Sequence, residues 1–244
     1  MVRLERRDDV GPDVIVVTLD RPDRRNALDH ATLLQLLDAL EACRGARVVV
    51  LTGTPPAFCA GADLAGVEEG VFAADLRAVL EGFTELDAAV VVAVDGPAMG
   101  AGAQLVSVCD LRVATPGSTF AIPAARLGLM IDQWTVERMG REFGWPVTRG
   151  MLLAAEVYDA ERLHGAGVVH RLGDLDDALQ LAGRIALLAP LSIAGHKRSL
   201  EFVSGGSEPD EALEATRLSV WRSADAAEGR SAFLDKRTPM FRGR

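Results

Sequence analysis

The sequence predicts an α/β fold with a helical C-terminal part, and two observations support this. Hydrophobic residues make up 49% of the 244 residues and aromatic residues 5%, so Ala, Val and Leu build the core. Such a composition is typical of helices that pack on buried strands. Short apolar runs also alternate with helical patterns up to about Asp176, and the pattern is helical from there on. A chain of this length buries the core of one large domain.

The first elements follow from the spacing of the apolar residues. Val14 to Leu19 form a β-branched run that predicts a strand followed by a turn. Asp29 is placed to cap a helix that extends to about Cys43. Val48 to Thr52 and Val90 to Val94 predict two strands that are buried on both faces. The helix predicted between them has an apolar face, formed by Phe72, Leu76, Val79, Leu80 and Phe83.

The second half of the chain adds two weaker strand predictions and a set of helices. The strands are Leu111 to Ala114 and Val168 to His170. The helices are Asp176 to Leu188, Leu191 to Phe202, Glu208 to Ser223 and Asp225 to Lys236. We therefore divide the chain at Pro190 into a core of residues 1–190 and a helical region of residues 191–244.

The charge balance and the cysteines narrow the possible classes of function. Lys+Arg of 26 against Asp+Glu of 35 gives a net charge of -9, so we expect no nucleic-acid partner. A few placed cations can still hold one phosphorylated ligand. Cys43, Cys59 and Cys109 are far apart and form no C-x-x-C pair. We therefore expect no disulfide framework, no metal site and a reduced, cytoplasmic location.

The segments nearest to a targeting or membrane signal are too polar for either role. The N-terminal residues carry acids and no apolar stretch, unlike a signal peptide. Leu86 to Cys109 is the most apolar stretch, and Asp87, Asp95 and several glycines or prolines interrupt it. We therefore expect no integral membrane segment.

Two glycine-rich turns follow the predicted buried strands and are the most specific feature of the sequence. They are Phe58 to Leu64 and Asp95 to Ala103. Small residues let backbone N–H groups approach a ligand closely, and the second turn leads into a predicted helix whose N-terminus favours negative charge. Two such donors form an oxyanion hole. Each turn taken alone is explained equally well as a tight strand-to-helix turn packed with small residues.

Further motifs accompany these turns along the chain. The combined set is Arg21-Pro22, Arg25 to Leu28, Phe58 to Leu64, Asp95 to Gly102, Cys109 to Ala114, Gly128-Leu129, Ala189-Pro190 with Lys197, and Phe233 to Phe241. Together they resemble the enoyl-CoA hydratase/isomerase (crotonase) superfamily over essentially the whole chain, and in particular its actinobacterial paralogues that lack the catalytic glutamates. The resemblance implies a spiral of ββα units with a helical C-terminal trimerisation region, assembled as a homotrimer or hexamer.

The resemblance also implies a ligand and its contacts. The backbone N–H groups of Ala62 and Ala101 are the implied oxyanion donors, which hold the thioester carbonyl of an acyl-CoA and stabilise enolate-like charge. The residues implied to contact CoA are Arg24, Arg25, Ala60, Phe233 and Lys236. The CoA thioester is then the ligand or substrate, with no further cofactor. Asp63 is expected to hold the turn by bonding nearby backbone N–H groups.

The sequence departs from the hydratases at both positions that carry their catalytic glutamates. Hydration of an enoyl thioester needs one group to activate water and another to manage the proton at the α-carbon, a task for paired carboxylates. The corresponding positions hold Gln104, which does not titrate, and Ala124, which has no functional group. Because losing one general acid or base costs about 10² to 10⁴ in rate, we expect little or no hydratase activity.

Three other features of the implied pocket leave alternatives open. Asp132 resembles an aspartate that some superfamily members use as an isomerase acid/base or a dehalogenase nucleophile, but the favoured interpretation is the N-cap of a helix that begins near Gln133. Trp134 stands where relatives have small residues, so it either walls the acyl pocket or fills the core. The apolar face from Phe72 to Phe83 suits either a cover over the acyl site or ordinary core packing.

Three functions are consistent with this pattern. The favoured one is a non-catalytic binder that carries or senses fatty acyl-CoA in lipid metabolism. The alternatives are an isomerase or other enolate-forming enzyme that uses Asp132, and a hydratase with an unrecognised acid. A serine protease of the Clp type shares the spiral architecture, but it needs a Ser-His-Asp constellation, and Ser107 has no evident histidine partner.

Overall fold

The protein forms two β-sheets surrounded by helices in the computed structural model, which describes residues 1–63, 69–203, 212, 215–216, 219–220 and 222–244. The strands are β1 Val2–Arg6, β2 Val14–Leu19, β3 Val48–Gly53, β4 Ala89–Val94, β5 Pro97–Met99, β6 Leu111–Ala114, β7 Thr119–Ala121, β8 Tyr158–Asp159 and β9 Arg171–Leu172. The helices are α1 His30–Ala42, α2 Glu69–Glu85, α3 Ala101–Ser107, α4 Gln133–Glu142, α5 Trp145–Leu153, α6 Ala160–Gly165, α7 Leu175–Ala186, α8 Pro190–Val203 and α9 Ala224–Leu234. Short 3₁₀ helices cover Pro22–Arg24 and Pro123–Leu127.

The larger sheet has the strand order β1-β2-β3-β4-β6-β9 and is parallel apart from the antiparallel edge strand β1. Its central strands are apolar on both faces because helices cover both. Val16 and Val50 pair across β2 and β3 and belong to the core under α7. Val17 and Leu51, one residue further along each strand, point to the other face and join the core under α1, α2 and α3. The continuous apolar runs in the sequence therefore predicted these strands correctly.

The smaller sheet, β5-β7-β8, explains how the chain spirals. After β4 leaves the larger sheet, β5 joins the smaller one and leads into α3; likewise β6 is followed by β7 and then by a 3₁₀ helix. The segment after β3 takes part in the same layer, because Cys59 forms a parallel bridge with Ala98 of β5. Each turn of the chain thus contributes one strand to the larger sheet and a shorter extended segment to the second layer.

Helix α1 begins where the sequence predicts. The Asp29 side chain accepts a hydrogen bond from the Thr32 N–H at 2.8 Å, which satisfies one of the free donors of the first turn. Leu33 and Leu36 are fully buried against the sheet. The predicted helical face on α2 is also buried at Val79 and Phe83, so that face serves the core.

The strand predicted at Val168 to His170 is wrong. These residues form a bend after α6, and the strand β9 begins at Arg171. The N–H groups of Val168 and Val169 both donate to the Leu163 carbonyl, at 2.9 and 3.2 Å, and so close the end of the helix. The apolar pattern of the two valines reflects their burial in the core, at 2% and 1% exposure, and not pairing in a sheet.

The helical C-terminal region is attached to the core through a buried lysine. Lys197 of α8 is 5% exposed, and its Nζ donates to the carbonyl oxygens of Phe83 (3.0 Å) and Ala88 (3.1 Å). It also pairs with the Asp110 carboxylate at 2.9 Å. The predicted helix from Glu208 to Ser223 falls largely outside the described residues. The other C-terminal helix predictions are confirmed by α7, α8 and α9.

Among the described residues, no single helix has both the length and the apolar character needed to cross a membrane. One pair of helices, Leu175–Ala186 and Pro190–Phe202, has the required length and apolar character when taken together, and the two helices meet at a bend of 109°.

Candidate functional site

A loop after β2 fixes the segment that leads into the first glycine turn. Arg25 and Asn26 both have positive φ, at 51° and 56°. Asn26 is 1% exposed, and its Nδ2 donates to the carbonyl oxygens of Thr54 (2.8 Å) and Ala57 (2.7 Å), while its Oδ1 accepts from the Arg21 N–H (2.8 Å). An amide supplies both kinds of bond, and asparagine tolerates this backbone conformation better than most residues. Asn26 belongs to a motif singled out in the sequence, but its role in holding this loop in place was not predicted.

The two glycine turns lie against each other. The Met99 N–H donates to the Cys59 carbonyl at 2.8 Å. Gly61 has a φ of 99°, and a Cβ at this position would lie 2.9 Å from the Met99 carbonyl oxygen and 3.7 Å from the Ala101 nitrogen. Glycine permits both the conformation and the close approach. The backbone just before Ala62 therefore lies against the backbone that opens α3.

Both predicted donors keep an N–H group without a backbone acceptor in the described part of the chain. Ala62 forms a parallel bridge with Leu28, in which the Asp63 N–H donates to the Leu28 carbonyl at 2.7 Å. Because successive N–H groups of an extended segment point to opposite sides, the Ala62 N–H faces away from Leu28. Ala101 is the first residue of α3, where an N–H has no acceptor within the helix.

Gln104 is a buried polar side chain close to these donors. It follows Ala101 on the same face of α3, one helical turn later, and is 6% exposed. Within the described residues the side-chain amide of Gln104 makes no hydrogen bond. The backbone carbonyl of this residue accepts a hydrogen bond from the Ser107 hydroxyl. Thr148 Oγ1 is the one fully enclosed side-chain polar atom without a partner in that same part of the chain. The Gln104 amide therefore touches open space, where it is able to bond a ligand or water.

Ala124 lies beside the start of α3. Three residues before it, the Ala121 carbonyl accepts the Gly100 N–H at 2.8 Å. Ala124 itself is half-buried against the same core, in the 3₁₀ helix, and its carbonyl accepts the Leu129 N–H at 2.9 Å. Its methyl group offers no means of proton transfer.

Asp132 is the N-cap of α4. Its carboxylate accepts the Thr135 N–H at 3.0 Å and the Thr135 hydroxyl at 2.8 Å, so the capping interpretation is confirmed. Arg77 of α2 also pairs with it at 3.1 Å. The guanidinium of Arg77 lies over the Trp134 ring, 4.1 Å from the centroid. Trp134 is half-buried and packs against the core beside Ile131.

Arg77 was not among the predicted site residues. In the sequence it is marked only by the Glu81 that follows one turn later, with which it pairs at 2.7 Å, and such pairs are common on any solvated helix face. Its contacts with Asp132 and Trp134 join positions more than fifty residues apart in sequence. No spacing rule connects them.

Three of the residues implied to contact CoA share one exposed surface. The Ala60 N–H donates to the Arg25 carbonyl at 2.9 Å, and both residues are exposed. The Arg24 side chain is 59% exposed, with its Nε 4.0 Å from Asp63 Oδ2. The Asp63 carboxylate pairs with Arg21 at 3.0 Å. That pair ties the loop after β2 to the first glycine turn. The expected bonds of Asp63 to turn N–H groups stay a prediction, because residues 64–68 lie outside the described part of the chain.

The two C-terminal residues implied to contact CoA lie in or after α9. The Phe233 side chain is outside the described part of the structure. Lys236 is exposed and has a φ of 54°. The tail that follows turns back, and its Phe241 carbonyl accepts a hydrogen bond from the Arg47 side chain at 2.8 Å. Arg47 directly precedes β3, so this contact lies at the opposite end of that strand from the first glycine turn. CoA contact by Lys236 stays a prediction.

The nucleophilic side chains near the turns are chemically quiet. Cys59 and Cys109 are free and buried, and burial raises the pKa of each thiol to about 12. The Ser107 hydroxyl is 1% exposed and donates to the Gln104 carbonyl at 2.7 Å, which gives it no histidine to act as a base. The described residues contain no group of three His, Cys, Asp or Glu able to hold a metal ion.

Comparison with known proteins matches this arrangement to one family. The sequence profile of enoyl-CoA hydratase/isomerase matches residues 10–244. A probable enoyl-CoA hydratase echA6 of Mycobacterium tuberculosis is 40% identical over 236 residues, which cover 94% of this chain and 96% of the relative. The 2,3-dehydroadipyl-CoA hydratase of Escherichia coli is 36% identical over 249 residues, which cover 95% and 96%. The crystal structure of an enoyl-CoA hydratase/carnithine racemase from Magnetospirillum magneticum matches with a TM-score of 0.90 at 28% identity, covering 100% of this chain and 96% of that one.

These matches identify the fold class and the family of the protein. The parallel sheet, the second layer and the two adjoining turns make it an α/β protein of the crotonase fold, which confirms the predicted fold class. The chain belongs to the enoyl-CoA hydratase/isomerase family.

Proposed function

We propose that this protein binds acyl-CoA thioesters through an oxyanion hole and has little or no hydratase activity. The observation that carries the proposal is the pair of available N–H groups at Ala62 and Ala101, beside the unpartnered amide of Gln104. Two preorganised N–H donors that meet at one carbonyl oxygen polarise it and stabilise negative charge on it. Relatives named as hydratases of CoA esters make the thioester carbonyl the matching ligand group.

The CoA part of the ligand is proposed to lie on the loop that carries Arg24 and Arg25. Both side chains are exposed, and the loop is held in place by Asn26 and by the Arg21–Asp63 pair. A net negative protein binds a phosphorylated ligand through such local cations, because the field near the phosphates depends on the nearest charges. Lys236 and Phe233 are proposed further contacts for the nucleotide end.

Binding without efficient turnover follows from the side chains around the donors. Gln104 is able to bond the ligand or a water but not to take a proton, and Ala124 bonds nothing through its side chain. The carboxylate of Asp132 is engaged by Thr135 and Arg77, which supports a structural role over acid/base work. The proposed role is therefore that of a fatty acyl-CoA carrier or sensor in the cytoplasm, assembled as a homotrimer or hexamer.

Calorimetric titration with acyl-CoAs of increasing chain length, run beside an absorbance assay of enoyl-CoA hydration, tests this proposal. We expect saturable binding and no measurable hydration by the same preparation. Rapid hydration by the wild-type protein would contradict the loss of acid/base groups. Absence of binding at every chain length would contradict the whole proposal.

A proline substitution tests the oxyanion donor at Ala101. Proline is tolerated at the first position of a helix, and it removes the N–H while placing its ring where the thioester oxygen would sit. We expect Ala101→Pro to bind acyl-CoA at least about tenfold more weakly, from the lost hydrogen bond and the added bulk. Leu175→Pro is the matched control, because Leu175 is the first residue of α7 on the other face of the sheet. Equal affinities of the two variants would remove Ala101 from the site.

A further inference from the structure

Arg77, Asp132 and Trp134 form a bridge between α2 and the start of α4, which we call the Arg77 latch. Arg77 stacks on the Trp134 ring at 4.1 Å from the centroid and pairs with Asp132 at 3.1 Å. A further pair with Glu81 at 2.7 Å holds the guanidinium from its own helix. The Arg77 side chain is 33% exposed, so the latch lies at the surface and is able to open.

The latch and Gln104 lie on helices that pack against each other. Helices α3 and α4 are in contact, and Arg138 Nε of α4 donates to the Ser107 carbonyl of α3 at 2.9 Å. Trp134 precedes Arg138 by one turn on α4, and Gln104 precedes Ser107 by one turn on α3. Each of the two residues therefore lies one turn from the contact between the helices.

Helix α3 contacts both α2 and α4, and the latch joins those two helices to each other. Gln104 and the latch thus belong to one set of packed helices.

We infer that an acyl chain held at Ala101 extends past Gln104 to the Trp134 ring, and that the Arg77 latch thereby sets the acyl-chain length that this protein accepts. The inference rests on the proposed binding of acyl-CoA. Short acyl chains end before the indole and leave the latch closed. Long chains require Trp134 to swing away, which breaks the stacking contact and loosens the Arg77–Asp132 pair.

Affinities for butyryl-CoA and hexadecanoyl-CoA, measured by calorimetry on full-length variants, test this inference. We expect Trp134→Ala to shift the ratio of the two affinities toward the long chain by about tenfold or more, because a few added methylenes in an apolar pocket change affinity to that extent. Arg77→Met should shift the ratio in the same direction by a smaller factor, since the indole loses its clamp but keeps its bulk. Glu81→Gln is the matched control, which removes a partner of Arg77 outside the latch and should leave the ratio at its wild-type value.

Tryptophan fluorescence supplies a second readout that does not depend on the stability of the alanine variant. The difference between the wild-type protein and Trp134→Phe isolates the signal of Trp134. We expect that difference signal to change on addition of hexadecanoyl-CoA and not of butyryl-CoA. Binding of both ligands with an unchanged ratio in Trp134→Ala and Arg77→Met would overturn the latch while leaving the proposed function intact. A wild-type protein that binds neither ligand would overturn both.

Discussion

Glutamate at both Gln104 and Ala124 should give this protein hydratase activity. Gln104 lies one helical turn beyond the donor at Ala101, and Ala124 follows the segment that bonds to the start of α3. A carboxyl group at each position would supply the paired acid and base that hydration needs. The proposed oxyanion donors are backbone groups, so the substitutions leave them in place.

The size of the effect follows from the burial of the two positions. One well-placed acid or base contributes about 10² to 10⁴ in rate, or about 3 to 5 kcal/mol of barrier. Gln104 is 6% exposed, so a carboxyl group there would lose solvation, and its pKa would rise toward the range where it donates and accepts protons near neutral pH. Ala124 is half-buried on a 3₁₀ helix, where a new side chain is less tightly held. We therefore expect the double variant to gain about 10² to 10⁴ over wild type, below the product of two ideal contributions.

The assay is the loss of conjugated enoyl-thioester absorbance with a four-carbon enoyl-CoA, which is short enough to leave the latch closed. Ala124→Gln is the matched control, since it adds the same bulk without a group that titrates. Each single glutamate variant should give much less than the double variant, because the two groups act on different protons. A double variant that binds the substrate and hydrates it no faster than Ala124→Gln would refute the view that missing carboxylates separate this protein from the hydratases.

Three further changes test the packing around the site. Lys197→Met should lower the free energy of unfolding by about 3 to 5 kcal/mol in a urea titration, because it leaves Asp110 and two carbonyl oxygens without their buried partner; a loss below about 1 kcal/mol would contradict this account. Asp132→Ala should cost about 1 kcal/mol through loss of the cap, whereas Asp132→Asn should cost less than about half of that, since asparagine caps equally well and the Arg77 pair is exposed. His170 Nδ1 accepts the Arg112 N–H at 3.1 Å, and desolvation together with the Arg112 charge lowers the pKa of His170. The neutral ring therefore stabilises the fold above the unfolded pKa of about 6.5. This contribution is lost as pH falls through the lower pKa of the folded state. The unfolding free energy should therefore drop less between pH 7.5 and 5.5 in His170→Asn than in wild type, and equal drops would exclude this group.

The parts of the fold that were predictable are those that depend on neighbours in sequence. Val14 to Leu19 form a mostly apolar run because they cross a covered sheet, and the bounds predicted for this run and for Leu111 to Ala114 agree with β2 and β6. The strand predicted at Val168 to His170 failed because a plug at the end of a helix has the same apolar pattern as a short buried strand. The two- and three-residue strands of the smaller sheet are too short to show any periodicity.

The candidate site divides in the same way. The two glycine turns were predictable, because a close approach of backbones requires small residues in a fixed order. The two donors within them were implied by the family resemblance, and their role stays a prediction. The partner of Asp63 was not predictable, since Arg21 reaches it from the loop after a different strand. The latch was the least predictable part of the site. Arg77 meets Asp132 and Trp134 through side-chain contacts between α2 and the start of α4, which no spacing in the sequence indicates.

A division between backbone and side chains explains how binding and catalysis come apart in such a protein. The proposed grip on the thioester uses backbone N–H groups, which proline alone among the residues would remove, and their positions depend on Gly61 and Asn26. Proton transfer depends on side chains alone, so exchanging two carboxylates for an amide and a methyl group abolishes it without moving the donors. Gln104 keeps hydrogen bonding at its position and gives up titration. Under the proposed function, a scaffold of this kind retains its ligand when it loses its chemistry, and selectivity then falls to the side chains proposed to bound the acyl chain, among them Trp134, which Arg77 holds against the core.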